Sequence, residues 1–284
     1  MTDDPLRSRV ARAAAEAALV RVAHHYGDRP EFVVLGGLVP ELLCSTSEYN
    51  HAGTTDVDVQ VNLEIAAGSV NTARLEAALR NAEFEPDAER AWRWTAEGLG
   101  AGVVVRFELL ADLDDQPEGV TVTFDECQDL GAANLRGTGF AARDVEIRQV
   151  TAKIGGVVQT VDVNVSGLAG FLLAKIAAAY SRRKPKDWYD IAFVLLHNDA
   201  GGPDQAAGVV VERFGGEING SIRTAIEDLK ANFATPTVQG PVAYADQILL
   251  DHPELDRAMV SADAVVAVTR FCELVLSERS AEPW

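Results

Sequence analysis

The chain has 284 residues, 48% hydrophobic and 24% charged, the make-up of a folded globular protein rather than a disordered one. A formal net charge of −18 opposes non-specific association with nucleic acid, so a polyanionic substrate must meet a local basic patch or bound cations. No apolar run reaches the ~18 residues that a membrane span needs, and the length favours two domains.

The first stretch, "MTDDPLRSRVARAAAEAALVRVAHHYG", reads as an amphipathic helix with His24 and His25 at its end. Arg9, Arg12 and Glu16 interrupt its alanines, which argues against a signal peptide. "GDRP" makes a turn, and "EFVVLGG" a short buried strand ending in two glycines. "LVPELLCS" resumes as a helix that tolerates Pro40 in its first turn. After the polar loop "TSEYNHAG" comes a strand, Thr55 to Asn62, and then the helix "NTARLEAALRNAEF". Strands are expected at "RAWRWTAE", "GVVVRFELLAD" and "GVTVTFDE", a loop with a short turn from Cys127 to Arg143, and further strands at "VEIRQVT" and "VVQTVDVNV".

Ser166 is placed to cap the helix "GLAGFLLAKIAAAYSRR", which Lys184-Pro185 interrupts, and Asp187 to cap the next, "DWYDIAFVLLHN". The rest reads as helices: "PDQAAGVVVERF", "INGSIRTAIEDLKANF" and "PELDRAMVSADAVVAVTRFCELVLSE". The expected fold is α+β, a mixed sheet with flanking helices over 1–165 and a helical domain over 166–284. The cysteines Cys44, Cys127 and Cys272 are scattered and odd in number, which suits reduced thiols in a cytoplasm.

The strand "TDVDVQVN" puts Thr55, Val57, Val59 and Val61 on one face and Asp56, Asp58, Gln60 and Asn62 on the other. Alternation alone is satisfied by a wet face. Two carboxylates roughly 6.5–7 Å apart between Cα atoms also suit Mg²⁺, which takes oxygen ligands and keeps some waters. Glu108, in an otherwise apolar strand, is the candidate third acid; the plain alternative is that it faces solvent beside Arg106, and Asp112 is the fallback. A strand that runs through Gly36 and Gly37 into a helix presents backbone amides that suit a phosphate. "SRRKPKDW", residues 181–188, gathers Arg182, Arg183, Lys184 and Lys186 into one basic patch. Lys175 lies in an apolar helix, where it either snorkels to water or meets an anion together with Arg182 two turns on. Asp190 falls in the first turn of its helix, and His51 and Thr54 precede the acid strand, within reach of a substrate.

A glycine corner, a DxD strand and a third acid resemble the nucleotidyltransferase superfamily of the DNA polymerase β-like fold. "LLAKIAAAYSRRKPKDWYDIAFVL" is similar, more narrowly, to the AbiEii-like and MenT-like toxin nucleotidyltransferases. The likeness covers roughly residues 31–196. Gly37 stands where many relatives have Ser, and the loop before Asp56 is longer than in the shortest members.

The resemblance implies Asp56, Asp58 and Glu108 on two Mg²⁺ ions, and Gly36 and Gly37 on the triphosphate. It implies Lys175, Arg182, Lys186 and Asp190 as nucleotide-binding, with Lys175 and Asp187 also in the catalytic set, and the helical domain contributing to the active-site cleft. The implied reaction moves an NMP from an NTP to an acceptor hydroxyl and releases pyrophosphate. The implied acceptor is a tRNA 3′ end or another RNA, and the implied partner an antitoxin; no membrane is involved. Two alternatives stay open: a small-molecule, aminoglycoside-type acceptor, which an acidic surface would attract, and a non-catalytic nucleotide-binding module of the same fold.

Overall fold

The computed structural model describes residues 8–61, 72–96 and 102–277. Asn62, the first seven residues, and the element ends expected at Asn71, Glu97 and Glu278 lie outside them. In chain order the elements are α1 (Arg9–Tyr26), β1 (Val33–Leu35), a 3-10 turn (Gly36–Leu38), α2 (Val39–Leu43), β2 (Asp56–Gln60) and α3 (Thr72–Asn81). They continue with β3 (Glu85–Pro86), β4 (Arg93–Ala96), β5 (Val105–Ala111), β6 (Thr121–Thr123), β7 (Gly131–Asn134), α4 (Gly139–Arg143), β8 (Val145–Ile154) and β9 (Val157–Ser166). Helices follow: α5 (Leu168–Arg182), α6 (Pro185–His197), α7 (Pro203–Phe214), α8 (Gly220–Asn232), α9 (Gln239–Asp251) and α10 (Arg257–Ser277). Among the described residues no helix is long and apolar enough to cross a membrane.

The chain forms two compact units, residues 1–39 with 52–166, and residues 40–51 with 167–284. The first is a mixed α/β unit around one open sheet. Its strand order is β3-β4-β5-β2-β1-β9-β8, with β7 and then β6 branching from the far end of β5. β2 runs parallel to β5 and antiparallel to β1; β1 runs parallel to β9. Alternation divides the sheet into two faces. On one, Val57, Val59, Trp94, Phe107 and Leu109 are all fully buried, and α1 packs against β2, β5, β8 and β9. Phe107 sits edge-on between Phe32 and Phe84, with centroids 5.8 and 5.9 Å away. α1 is capped at both ends: Ser8 Oγ accepts from the Ala11 amide, and Gly27 takes a left-handed φ of 90°.

Several expectations need correction. The stretch from Cys127 to Arg143 is not a loop: it holds β7, which pairs with β5 and β6, and α4. "GAAN" is buried at every position, so it shows no alternation, and its small residues carry no strand propensity. Ser166 is not a cap. It is the last ladder partner of Val145, and Gly167 precedes α5 with no side-chain cap bond. Asp187 is not the cap of its helix either, because α6 opens at Pro185 after Lys184. α9 was not expected, since Gly240 and Pro241 in "QGPVAYADQILLD" look like breakers; both fall in its first turn, where proline is tolerated.

The second unit is helical, with α6 packed against α9 and α10, and α5 against α7 and α8. Residues 40–51 are tied to it by Asp199, whose carboxylate accepts from the amides and hydroxyls of both Ser45 and Thr46 at 2.7–3.1 Å. These bonds hold Asp199 below the usual carboxylate range against the opposing effect of burial.

Beside this tie, His197 lies 3.0 Å from the Tyr244 hydroxyl and packs on Phe193 and Tyr49. Burial lowers its pKa from 6.5 to about 4. A histidine held neutral when folded takes up its proton on unfolding, so its stabilising effect is complete above pH 6.5 and is lost as pH falls towards 4. Acidification across that window is expected to cost the helical unit roughly 2–3 kcal/mol. Native-state hydrogen exchange of the α6 amides at pH 7 and 4.5 measures the loss, and His197→Gln should flatten it.

Candidate active site

The polar face of the sheet is built by register. Asp58 on β2 is the Cα partner of Glu108 on β5 and of Leu35 on β1, and Glu108 is the partner of Arg93 on β4. One step along, Asp56 pairs with Arg106, and Arg106 with Thr95. Partners in register share a face, so two rows lie side by side: Arg93, Glu108, Asp58 and Thr95, Arg106, Asp56. All six are half-buried. Glu108 therefore stands next to the aspartate pair.

Arg93 donates to Glu108 Oε1 through Nε at 2.7 Å and lies 2.6 Å from it through Nη2. Arg106 Nη1 is 3.7 Å from Asp56 Oδ1, a looser pair. Asp112, the fallback acid, is committed elsewhere: its Oδ2 accepts from the Gly137 and Gly139 amides at 2.9 and 3.0 Å, and Arg136 lies 3.6 Å away. It shapes the turn into α4.

The glycine corner lies directly against Asp58. Gly36 has φ +73°, and a Cβ there would lie 1.9 Å from Asp58 Oδ2. Both the backbone conformation and the space therefore demand glycine. A Cβ on Gly37 would lie 2.8 Å from Thr54 Cβ. Thr54 Oγ1 in turn accepts from the Asp56 amide at 3.0 Å, which fixes the start of β2. Thr54 is thus a buried structural contact.

Do these residues suit a divalent cation? Asp56 and Asp58 project side by side, and the missing Cβ of Gly36 leaves room at Asp58. Two positions on, Gln60 Oε1 is buried and meets no donor. Hard oxygen acceptors in this arrangement fit Mg²⁺. Among the described residues, however, no group of three or more His, Cys, Asp or Glu side chains is arranged to hold a metal ion. Asp56 and Asp58 share a face of β2, and Glu108, the register neighbour of Asp58, is turned onto Arg93.

The helical unit gathers the other candidates into a buried ionic network. Lys175 Nζ lies 2.9 Å from Asp190 Oδ2 and 3.4 Å from Asp187 Oδ1. Arg182 forks onto Asp187, its Nε and Nη2 each 2.6 Å from one oxygen. His51 Nε2 meets Asp190 Oδ1 at 2.9 Å, and the His51 amide donates to Glu41 Oε2 at 2.8 Å. Asp187 and Asp190 are fully buried and Lys175 is only 7% exposed. Lys175 therefore does not snorkel, and the anion that it shares with Arg182 is a side chain of the same unit. Burial opposes ionisation of Asp187, but Lys175 and then Arg182 outweigh it and hold the carboxyl below its usual range. His51 is no open loop residue: its ring stacks on Tyr189 with centroids 5.1 Å apart and meets Phe193 edge-on. Lys186 is half-buried at the start of α6.

Sequence reasoning missed Arg93. The signal was present in "RAWRWTA", where alternation opposes Arg93 and Thr95 to the buried Trp94, but the strand pairing that sets Arg93 beside Glu108 is not written locally.

No family model and no curated protein matches the sequence. Among solved structures the chain is similar to an antigenic nucleotidyltransferase-like protein from Paracoccidioides brasiliensis, with 16% sequence identity over 93% of this chain and 95% of that one and a TM-score of 0.45.

Proposed function

We propose that the chain is a nucleotidyltransferase that moves an NMP from an NTP to an acceptor hydroxyl and releases pyrophosphate. The observation that carries this reading is the register that sets Asp58 beside Glu108 while Gly36 leaves no room for a side chain against Asp58. Asp56 and Asp58, with Glu108 as the third acid, are the residues that would hold divalent ions. A bound divalent ion supplies Lewis-acid stabilisation of charge on the phosphoryl oxygens and favours the alkoxide of the acceptor. The 3-10 turn at Gly36–Leu38 offers backbone amides to the triphosphate and orients it for in-line attack, and the rigid sheet holds the carboxylates in place.

Within this reading the acceptor is the 3′ end of a tRNA, and the protein acts as the toxin of a toxin-antitoxin pair. Lys175, Arg182, Lys186, Asp187 and Asp190 are its expected nucleotide-side residues. A net charge of −18 favours a second acceptor class, a cationic small molecule such as an aminoglycoside. Incubation with each labelled NTP, Mg²⁺ and total RNA, or with an aminoglycoside in place of RNA, tests both. Label on tRNA supports the first, and label on the antibiotic the second. Label on neither, with NTP bound independently of Mg²⁺, indicates a non-catalytic binding module and removes the proposal.

A further inference from the structure

We propose that Arg93 is a resident competitor for the cation site: its guanidinium holds Glu108, and a divalent ion completes its carboxylate set only by displacing that contact. The inference rests on the nucleotidyltransferase reading and names a control on metal entry into the same site.

Three strands put Arg93, Glu108 and Asp58 in one transverse row, with Glu108 in the middle. Glu108 thus has a cation on one side and a like charge on the other. Adjacent carboxylates directly across a ladder repel, and either a guanidinium or a divalent ion relieves that repulsion. In this structure the guanidinium does so. Two of its nitrogens meet Glu108 Oε1 at 2.6–2.7 Å, and the side chains are only 17% and 16% exposed, so solvent and salt screen the pair weakly. Arg93 is held from a second direction as well, with its guanidinium carbon 4.9 Å from the centroid of the Trp92 ring.

Arg106 offers no comparable hold on Asp56, at 3.7 Å, so the tight latch is the one on the third acid. Among the described residues no three-ligand group is assembled, and Glu108 is engaged by Arg93. Without metal, Arg93 meets Glu108 and Arg106 meets Asp56, so the three acids and two guanidiniums sum to a formal charge of −1. A divalent ion therefore binds against a built-in opponent.

The test is Mn²⁺ binding, followed by electron paramagnetic resonance on the full chain without nucleotide. Arg93→Gln is expected to bind Mn²⁺ at least about tenfold more tightly than the unsubstituted protein. Arg93→Lys, which keeps the charge but loses the fork, should fall between them, and Arg93→Gln with Glu108→Gln should lose the gain. Because Arg93→Gln uncovers a half-buried charge, thermal unfolding with and without Mn²⁺ provides a second measure. The variant should melt below the unsubstituted protein without Mn²⁺ and gain more from adding it. Equal Mn²⁺ affinity with and without Arg93, or a gain that survives the Glu108 substitution, overturns the role of Arg93 alone. If neither protein binds Mn²⁺, the metal-dependent reading of the site falls with it.

Discussion

Lys175→Met is expected to destabilise the helical unit by roughly 3–5 kcal/mol, the cost of breaking a buried ion pair from one side. Methionine matches the length and apolar body of lysine, so packing along α5 should survive and the loss should be electrostatic. Without the ammonium, Asp187 still has the fork of Arg182, whereas Asp190 loses the cation nearest to it and keeps its contact with His51. Asp190 has no exposure to water with which to compensate. The second substitution follows from this: Asp190→Asn on the Lys175→Met background removes the buried carboxylate charge that Lys175 had balanced and should recover much of the loss.

Lys153→Met, an exposed lysine on β8, serves as the control and should stay within about 0.5 kcal/mol of the parent. Urea unfolding, with α6 amide exchange to locate the effect, checks all of these. A Lys175→Met protein as stable as its parent would mean that the network contributes nothing to folding.

The outcome also bears on how Lys175 is read as a nucleotide ligand. A buried ammonium already shared by two carboxylates reaches a phosphate only by exchanging partners, at a cost comparable to the substitution itself. Activity measurements on Lys175 variants therefore need a stability measurement beside them. Arg182 gives a cleaner comparison, because its side chain is 43% exposed and its loss leaves Lys175 on Asp187.

What the sequence disclosed, and what it did not, divides along the range of the interactions. The alternation of "TDVDVQ" is local, and it placed Asp56, Asp58 and Gln60 on one face of β2 opposite Val57 and Val59. Helices with a long apolar stripe, such as α5 and α6, were legible for the same reason. β7 was not, because a strand of small residues buried throughout has no period to read. The neighbours of Glu108 were invisible too. Whether Arg106 on its own strand or Arg93 on another holds it depends on the antiparallel register of β4 against β5, a choice made by Trp94 and Phe107 packing on the opposite face. His51 gives the same lesson in the helical unit. Asp190, its partner, is 139 residues away in sequence, and nothing near position 51 announces it.

Asp58→Asn is expected to lower nucleotidyl transfer by about 10³-fold or more while leaving the fold in place, since the proposed mechanism draws several kcal/mol of charge stabilisation at phosphate from ions held by this carboxylate. The amide has the shape of the carboxylate and fits the space that Gly36 leaves, so packing is conserved. Removal of one of two like charges facing each other across β2 and β5 is neutral or mildly stabilising, against the destabilisation that most substitutions bring. Asp56→Asn should behave alike, its loose contact with Arg106 costing little.

Asp112→Ala supplies the opposite pattern. Its carboxylate accepts two backbone amides at the turn into α4, so its loss should lower the melting temperature and spare turnover in the protein that remains folded. Measuring transfer and melting on the same three proteins separates a chemical role from an architectural one. Full transfer by Asp58→Asn would remove the carboxylate pair from the reaction. Equal losses of activity and stability at Asp58 and Asp112 would mean that both acids serve only the sheet.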